Sequence, residues 1–302
     1  MTLFYAGPAT RNVSFFFEIP FEPDGALEVG QMLLNFGQSD GTFFTRFGKF
    51  HQFSRVGFGG LDRPIGLTNA RMFEDLINGF RPRLDNVGIE LGYSTGNLTG
   101  LLQVTNGIKA TGGAASVTDT NNQKDIAVLL EYLFPDTNAS ASLLYVYGQA
   151  PVPTDNTAAA VAVAGASASK YHRGYLFADY TFDKIGLRPI VGASLGLDNQ
   201  FITGLGGAAP VLAVAGNSVS WSGFLELDQK IKETLYALAR FDYSDPTTQS
   251  EFSTTTAKNI SAVGGLVWNF QNHMRVSTEY QARRNSFAPA THAVTVEGQL
   301  NF

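Results

Sequence analysis

Residues 294–302 read VTVEGQLNF, with Val294, Val296, Gly298, Leu300 and Phe302 on one parity and Thr295, Glu297, Gln299 and Asn301 on the other. In an extended backbone successive side chains point to opposite sides, so this alternation makes one apolar and one polar face. The stretch is expected to be a β-strand. Just upstream, Met274, Val276, Thr278, Tyr280 and Ala282 alternate with Arg275, Ser277, Glu279, Gln281 and Arg283. Ile260, Ala262, Gly264, Leu266, Trp268 and Phe270 share a face, and Leu235, Ala237, Ala239, Phe241 and Tyr243 oppose Arg240 and Asp242. Val219, Trp221, Leu225 and Leu227 likewise oppose Ser220, Ser222, Glu226, Asp228 and Lys230.

Carried along the whole chain, the pattern predicts about fourteen strands, each near the ~9–11 residues that a tilted membrane strand needs. They fall at 12–22, 26–37, 42–55, 84–95, 98–110, 124–135, 139–150, 172–183, 185–198, 218–230, 234–245, 257–270, 274–285 and 291–302. Turn chemistry closes some connections tightly, as at 94–97, 135–138, 183–184 and 271–272. Longer stretches of polar and small residues lie between them, at 111–123, 151–169, 200–217 and 244–256. Short turns at one end and long loops at the other are the habit of outer-membrane barrels, and their strand number is even. The expected architecture is an all-β, antiparallel, up-and-down transmembrane β-barrel forming one domain over 1–302. Residues 1–11 would be a periplasmic N-terminal segment, the short turns periplasmic and the long loops extracellular. Two places resist. In 42–56, Phe43, Phe47 and Phe53 share parity with Lys49 and Arg55, and Pro189 interrupts a strand where it would need a bulge.

Composition narrows the class. The chain is 44% hydrophobic and 16% charged, yet no stretch approaches the ~18 apolar residues of a membrane helix. With Cys 0, a disulfide scaffold and a cysteine-ligated metal are excluded. A net charge of -5 without a basic stripe argues against nucleic acid as a partner. Residues 1–7 are too short for the apolar core of a signal peptide and lack a basic start, although an exported protein needs one. A soluble sandwich also alternates. Here aromatics collect near strand ends (Tyr132 and Phe134, Tyr145 and Tyr147, Tyr180 and Phe182, Trp268 and Phe270), which favours an apolar band facing outer-membrane lipid.

The tail, with Phe302 behind Leu300 and Val296, resembles the C-terminal signature of bacterial outer-membrane proteins. The resemblance implies recognition by the barrel-assembly machinery, with those residues as the assembly signal. The stretch 45–50, Thr-Arg-Phe-Gly-Lys-Phe, is similar to the arginine-x-glycine-lysine/arginine-phenylalanine strand of phosphate-selective porin O/P-like barrels. That resemblance implies a porin-type barrel and a channel role at class level, in a Gram-negative outer membrane.

Two groups of residues are candidates for function. The insertion 57–83 holds a short amphipathic helix with Thr68 as N-cap, Gly79 past its end, and Met72 with Leu76 and Phe73 with Ile77 on one side. It either folds into the lumen and narrows it, with Asp62, Arg63, Arg71, Glu74 and Asp75 at the constriction, or caps the rim. The second group is the inward charges. Arg188, Arg240, Arg275 and Arg283 would form a basic side, opposed by Glu90, Glu131, Glu226, Asp228, Asp242 and Glu279. Such rings set selectivity in a water-filled pore, and the same residues can instead pair across strands. The four histidines are scattered, no HExxH, GxSxG or CxxCH occurs, and no catalysis, metal or cofactor is expected. The leading expectation is passive diffusion of small polar or charged solutes. The alternative is a scaffold barrel whose small-residue lumen holds a partner such as a lipoprotein or a multihaem cytochrome. A homo-oligomer stays open.

Overall fold

The computed structural model describes residues 2–20, 31–37, 42–51, 67–74, 85–106, 124–150, 169–203, 212–245, 258–270, 274–286 and 288–300. Among the described residues, fifteen strands form one sheet in strict chain order, every pair antiparallel. They are β1 (Thr2–Thr10), β2 (Val13–Pro20), β3 (Gln31–Gly37), β4 (Phe43–His51), β5 (Asp85–Thr95), β6 (Leu98–Thr105), β7 (Asp125–Leu133) and β8 (Ala139–Ala150). Then come β9 (Ser169–Tyr180), β10 (Leu187–Thr203), β11 (Leu212–Lys232), β12 (Leu235–Asp245), β13 (Asn259–Phe270), β14 (Met274–Asn285) and β15 (Ala288–Leu300). A four-residue helix, α1 (Arg71–Glu74), lies between β4 and β5.

The expected count of about fourteen becomes fifteen. The stretch expected to be a periplasmic N-terminal segment is strand β1, laddered to β2 from Thr2↔Pro20 to Thr10↔Val13. The expected loop 200–217 is shortened, because β10 and β11 continue past a register shift at Asp198/Gln200 and stay paired as far as Thr203↔Leu212. Pro189 carries no register shift. The contact with β9 is an isolated bridge at Phe182↔Leu187 and resumes at Ile190↔Asp179, so the proline sits in the gap of that ladder.

Because every strand reverses, the connections at 11–12, 96–97, 134–138, 181–186 and 233–234 share one end, the short-turn end. The connections 52–84, 106–124, 151–168 and 246–258 share the other, the long-connection end. The two sheet faces differ as the alternation requires. One face exposes large apolar side chains such as Leu91, Val128, Leu143, Leu176, Val191, Leu225 and Leu266. The opposite face buries Glu90, Arg173, Glu226, Arg240, Asp242 and Glu279. That is a soluble protein inside out, and it suits hydrocarbon outside and polar groups within. Aromatic pairs edge the apolar face, including Tyr180–Phe182 at 4.5 Å, Trp268–Phe270 at 4.0 Å and Trp221–Tyr243 at 4.4 Å.

The ambiguous strand β4 also resolves. Phe43 and Phe47 point out, while Phe44, Arg46 and Phe50 are buried on the inner face. Gly48 holds φ 137 and passes so close to β3 that a Cβ would lie 1.9 Å from the Met32 carbonyl oxygen. Only glycine tolerates both conditions.

Candidate functional site: the inner wall and the segment it holds

Strand β12 places Leu238, Arg240, Asp242 and Ser244 on the inner face by simple alternation. Its register sets Arg240 directly opposite Glu226 of β11. The Arg240 guanidinium donates to Glu226 at 3.1 Å and to Asp242 at 3.0 Å. All three groups are buried, so a charge left without a partner here would be costly.

The remaining donors of Arg240 do not stay on the wall. They reach the Thr68 carbonyl at 2.7 Å, the Thr68 hydroxyl at 3.0 Å and the Asn69 carbonyl at 3.1 Å. From β14, Glu279 accepts from the Leu67 N–H, from the Thr68 N–H at 3.0 Å and from the Thr68 hydroxyl at 2.6 Å. Asp242 accepts from the Arg71 N–H at 3.2 Å. The wall thus supplies an anion for each of these exposed N–H groups and a cation for the carbonyls. That is what permits an irregular stretch of backbone to lie against the inner face, where unpaired peptide groups are expensive.

Beyond Asn69 the anchoring turns apolar. Ala70, Met72 and Phe73 are buried in a cluster with Leu101, Leu129, Leu144, Val146, Tyr175, Phe177, Ile190 and Phe224. Phe73 stacks on Phe177 at 5.4 Å and 14°, and Tyr175 continues the stack at 6.5 Å. Gly192 makes room: a Cβ there would lie 2.3 Å from the Phe224 ring and 3.1 Å from the Met72 sulfur. Gly192→Val is expected to overpack this seat and to cost about 1–3 kcal/mol, read as a lower midpoint of denaturant unfolding. An unchanged midpoint would mean that the seat is loose.

Residues 67–74 therefore run along the inner face. Thr68 is not an N-cap, since α1 begins at Arg71; its hydroxyl serves Glu279 and Arg240 instead. Glu74 ends α1. Asp62, Arg63, Asp75 and Gly79 lie outside the described residues, as does Phe302.

The inward charges do not sort into a basic side facing an acidic side. They interleave, because register places opposite charges on neighbouring strands. Arg188 pairs with Asp179 at 2.6 Å, Arg240 with Glu226 and Asp242. Glu90 pairs with Arg46 at 3.1 Å and accepts from Gln103 at 2.7 Å. Arg188 and Asp228 also line a cavity of about 400 Å³ at the short-turn end, with Thr181, Lys230, Tyr236 and Asn269. Arg275 donates to Ser277 at 3.1 Å. Glu131 is half-buried near the short-turn end and Arg283 is exposed near the other, so neither joins the Arg240 group. Val296 is exposed on β15, and Leu300 pairs in register with Met274.

Several inner-wall groups were not among the sequence candidates: Arg46, Asp179, the Arg173–Asp198 pair at 2.8 Å, and Tyr171 hydrogen-bonded to Asp125. All lie on the inner parity of their strands, so the alternation could have marked Asp125, Arg173, Asp179 and Asp198, whereas Arg46 fell in the stretch whose faces were ambiguous and Tyr171 just before the expected strand.

No protein-family model matches this chain, and no curated protein matches it. Solved structures do. The outer-membrane channel DcaP of Acinetobacter baumannii is similar at a TM-score of 0.67 and 14% identity, over 100% of this chain and 84% of that one. An anion-selective porin from Comamonas acidovorans is similar at 0.65 and 14%, over 95% and 80%. A loop-deletion mutant of OmpT, an outer-membrane protein of Vibrio cholerae, is similar at 0.63 and 10%, over 99% and 89%. The chain has the fold of outer-membrane porin-type β-barrels.

Proposed function

We propose that this protein is a transmembrane barrel of a bacterial outer membrane that lets small polar or charged solutes diffuse passively. The observation that carries this reading is the inverted sheet, apolar outward and charged inward, with residues 67–74 held on its inner face. A diffusion pore needs a wet, charged wall and a narrowing element, and these residues offer both. In this reading residues 67–74 constrict the lumen, and Glu226, Arg240, Asp242 and Glu279 line it as well as hold the segment. The short turns face the periplasm. Phe302, Leu300 and Val296 serve the assembly machinery. The likeness of 45–50 to phosphate-selective porin O/P-type strands is kept at class level and names no solute. No catalytic step and no cofactor are assigned.

One observation favours a second reading. The apolar cluster around Phe73 fills part of the interior, as it would in a scaffold barrel with an occupied lumen and a protein partner. Single-channel recording of refolded protein in planar bilayers separates the two. Ohmic steps with a measurable ion preference support the channel. Folded protein that never conducts rejects it and leaves the scaffold reading.

A further inference from the structure

The cavity of about 400 Å³ at the short-turn end falls within the size of small-molecule sites, which run from ~300 to ~1,000 Å³. Arg188 of β10, Asp228 and Lys230 of β11, Tyr236 of β12 and Asn269 of β13 form its wall, and Asp183 joins them from the turn between β9 and β10. Higher on the inner face Arg173 and Arg240 are buried. Here the cations are within reach: the side chains of Arg188 and Lys230 are 31% and 39% exposed.

The groups around the cavity are held in place by their neighbours. The Lys230 N–H donates to the Gly186 carbonyl at 2.7 Å, and the Gln229 amide donates to the Ile185 carbonyl at 2.7 Å, which ties the β9–β10 turn to β11. Asn138 of the preceding turn donates to Asp183. Arg188 stands directly across from Asp228 in register, yet its guanidinium engages Asp179 of β9, through Nε at 2.7 Å and Nη2 at 2.6 Å. The Nη1 donors on the other side of the fork are left for a solute. Lys230 is shared with exposed Glu233 at 2.9 Å, and an exposed pair of this kind is worth little, so it yields readily. Tyr236 packs against buried Leu238, Val263 and Val267. The cavity therefore has a charged side and an aromatic side backed by apolar residues.

The charges that line it are of both signs, Arg188 and Lys230 against Asp183 and Asp228. A purely anionic solute would meet the two carboxylates, and a purely cationic one the guanidinium and the ammonium. A solute that carries both signs leaves no charge facing its like. Asp183 is exposed and can take an ammonium directly, while Asp228 is buried in the wall, where its charge is little screened. We propose that this cavity binds zwitterionic α-amino acids with an apolar side chain. The carboxylate lies on Arg188 and Lys230, the ammonium on Asp183 in the field of Asp228, and the side chain on the Tyr236 ring. The proposal gives the diffusion reading a solute class and rests on that reading for access from solution; its test keeps the two apart.

Refolded protein in detergent micelles is dialysed to equilibrium against radiolabelled L-phenylalanine, 3-phenylpropanoate or phenethylamine, with protein-free micelles as the blank. The second probe lacks the ammonium and the third lacks the carboxylate. Phenylalanine is expected to bind about tenfold more tightly than either, since each analogue leaves one set of charges unanswered. Arg188→Gln should weaken phenylalanine about tenfold and leave phenethylamine unchanged. Asp183→Asn should weaken phenylalanine about fivefold and leave 3-phenylpropanoate unchanged. A variant that merely misfolds would lose all three probes together, so these opposite selectivities report the site itself. Equal binding of the three probes to the unaltered protein, or binding of none, overturns the proposal. The same preparation is recorded in planar bilayers. Ohmic steps without phenylalanine binding overturn the site and leave the diffusion reading standing, whereas selective binding in a barrel that never conducts supports the site and rejects the channel.

Discussion

Arg240→Met is expected to release residues 67–74 from the inner wall and to raise single-channel conductance severalfold. Arg240 serves two carboxylates on its own side and three oxygen atoms of the segment on the other. Without it Glu226 and Asp242 lose the cation that they share in a buried site. Removing one partner of such a group costs about 3–5 kcal/mol, so the midpoint of unfolding should fall as well. Arg240→Lys should rescue little, because an ammonium cannot span the directions that the guanidinium fork covers. Glu279→Gln should act in the same direction and more weakly: one carbonyl oxygen still accepts, but the new amide N–H₂ would face donors on Leu67 and Thr68. Unchanged conductance in Arg240→Met, with folding intact, would mean that the segment does not restrict the path.

Phe73→Ala attacks the other anchor. The ring stacks on Phe177 and touches Phe224 within a fully buried cluster. Truncating a buried aromatic costs about 3–5 kcal/mol, although a segment that can lift away recovers part of it. Conductance should rise, and single cysteines placed at Thr68 should become reactive to a water-soluble maleimide. The double variant with Arg240→Met should show less than the sum of the two effects, because each alone already frees the segment. Additive effects would place the two anchors on independently moving pieces.

The two faces of the sheet were legible because period-2 alternation is local. Glu226, Arg240, Asp242 and Glu279 were found as inward charges on parity alone; of the expected helix, Arg71–Glu74 is helical among the described residues, and Leu76 and Ile77, which made its spacing, lie outside them. What parity could not supply was partnership. Arg240 meets Glu226 because of the β11–β12 register, and Glu279 meets Thr68 across 211 residues of chain. Neither distance is written in the alternation. Thr68 read as a cap because threonine before an apolar run usually is one, and a tertiary acceptor and donor overrode that local preference. Strand β1 was missed for a local reason. TLFYAGPAT carries apolar residues on both parities and a proline, so its strand character shows only in its ladder with β2.

The strict chain order of the sheet also dictates a sequence of events. Each strand pairs with the strand made just before it, so most registers can be set across a single connection at small entropic cost. The segment at 67–74 is different. Its acceptors lie on β12 and β14, over 170 residues later in the chain, so its polar anchors are missing until nearly the whole wall exists, although the apolar seat of Phe73 on β6 to β11 comes earlier. Polar locking of the segment is thus a late step of assembly. A wall that stalls before β14 would lack the Glu279 anchor.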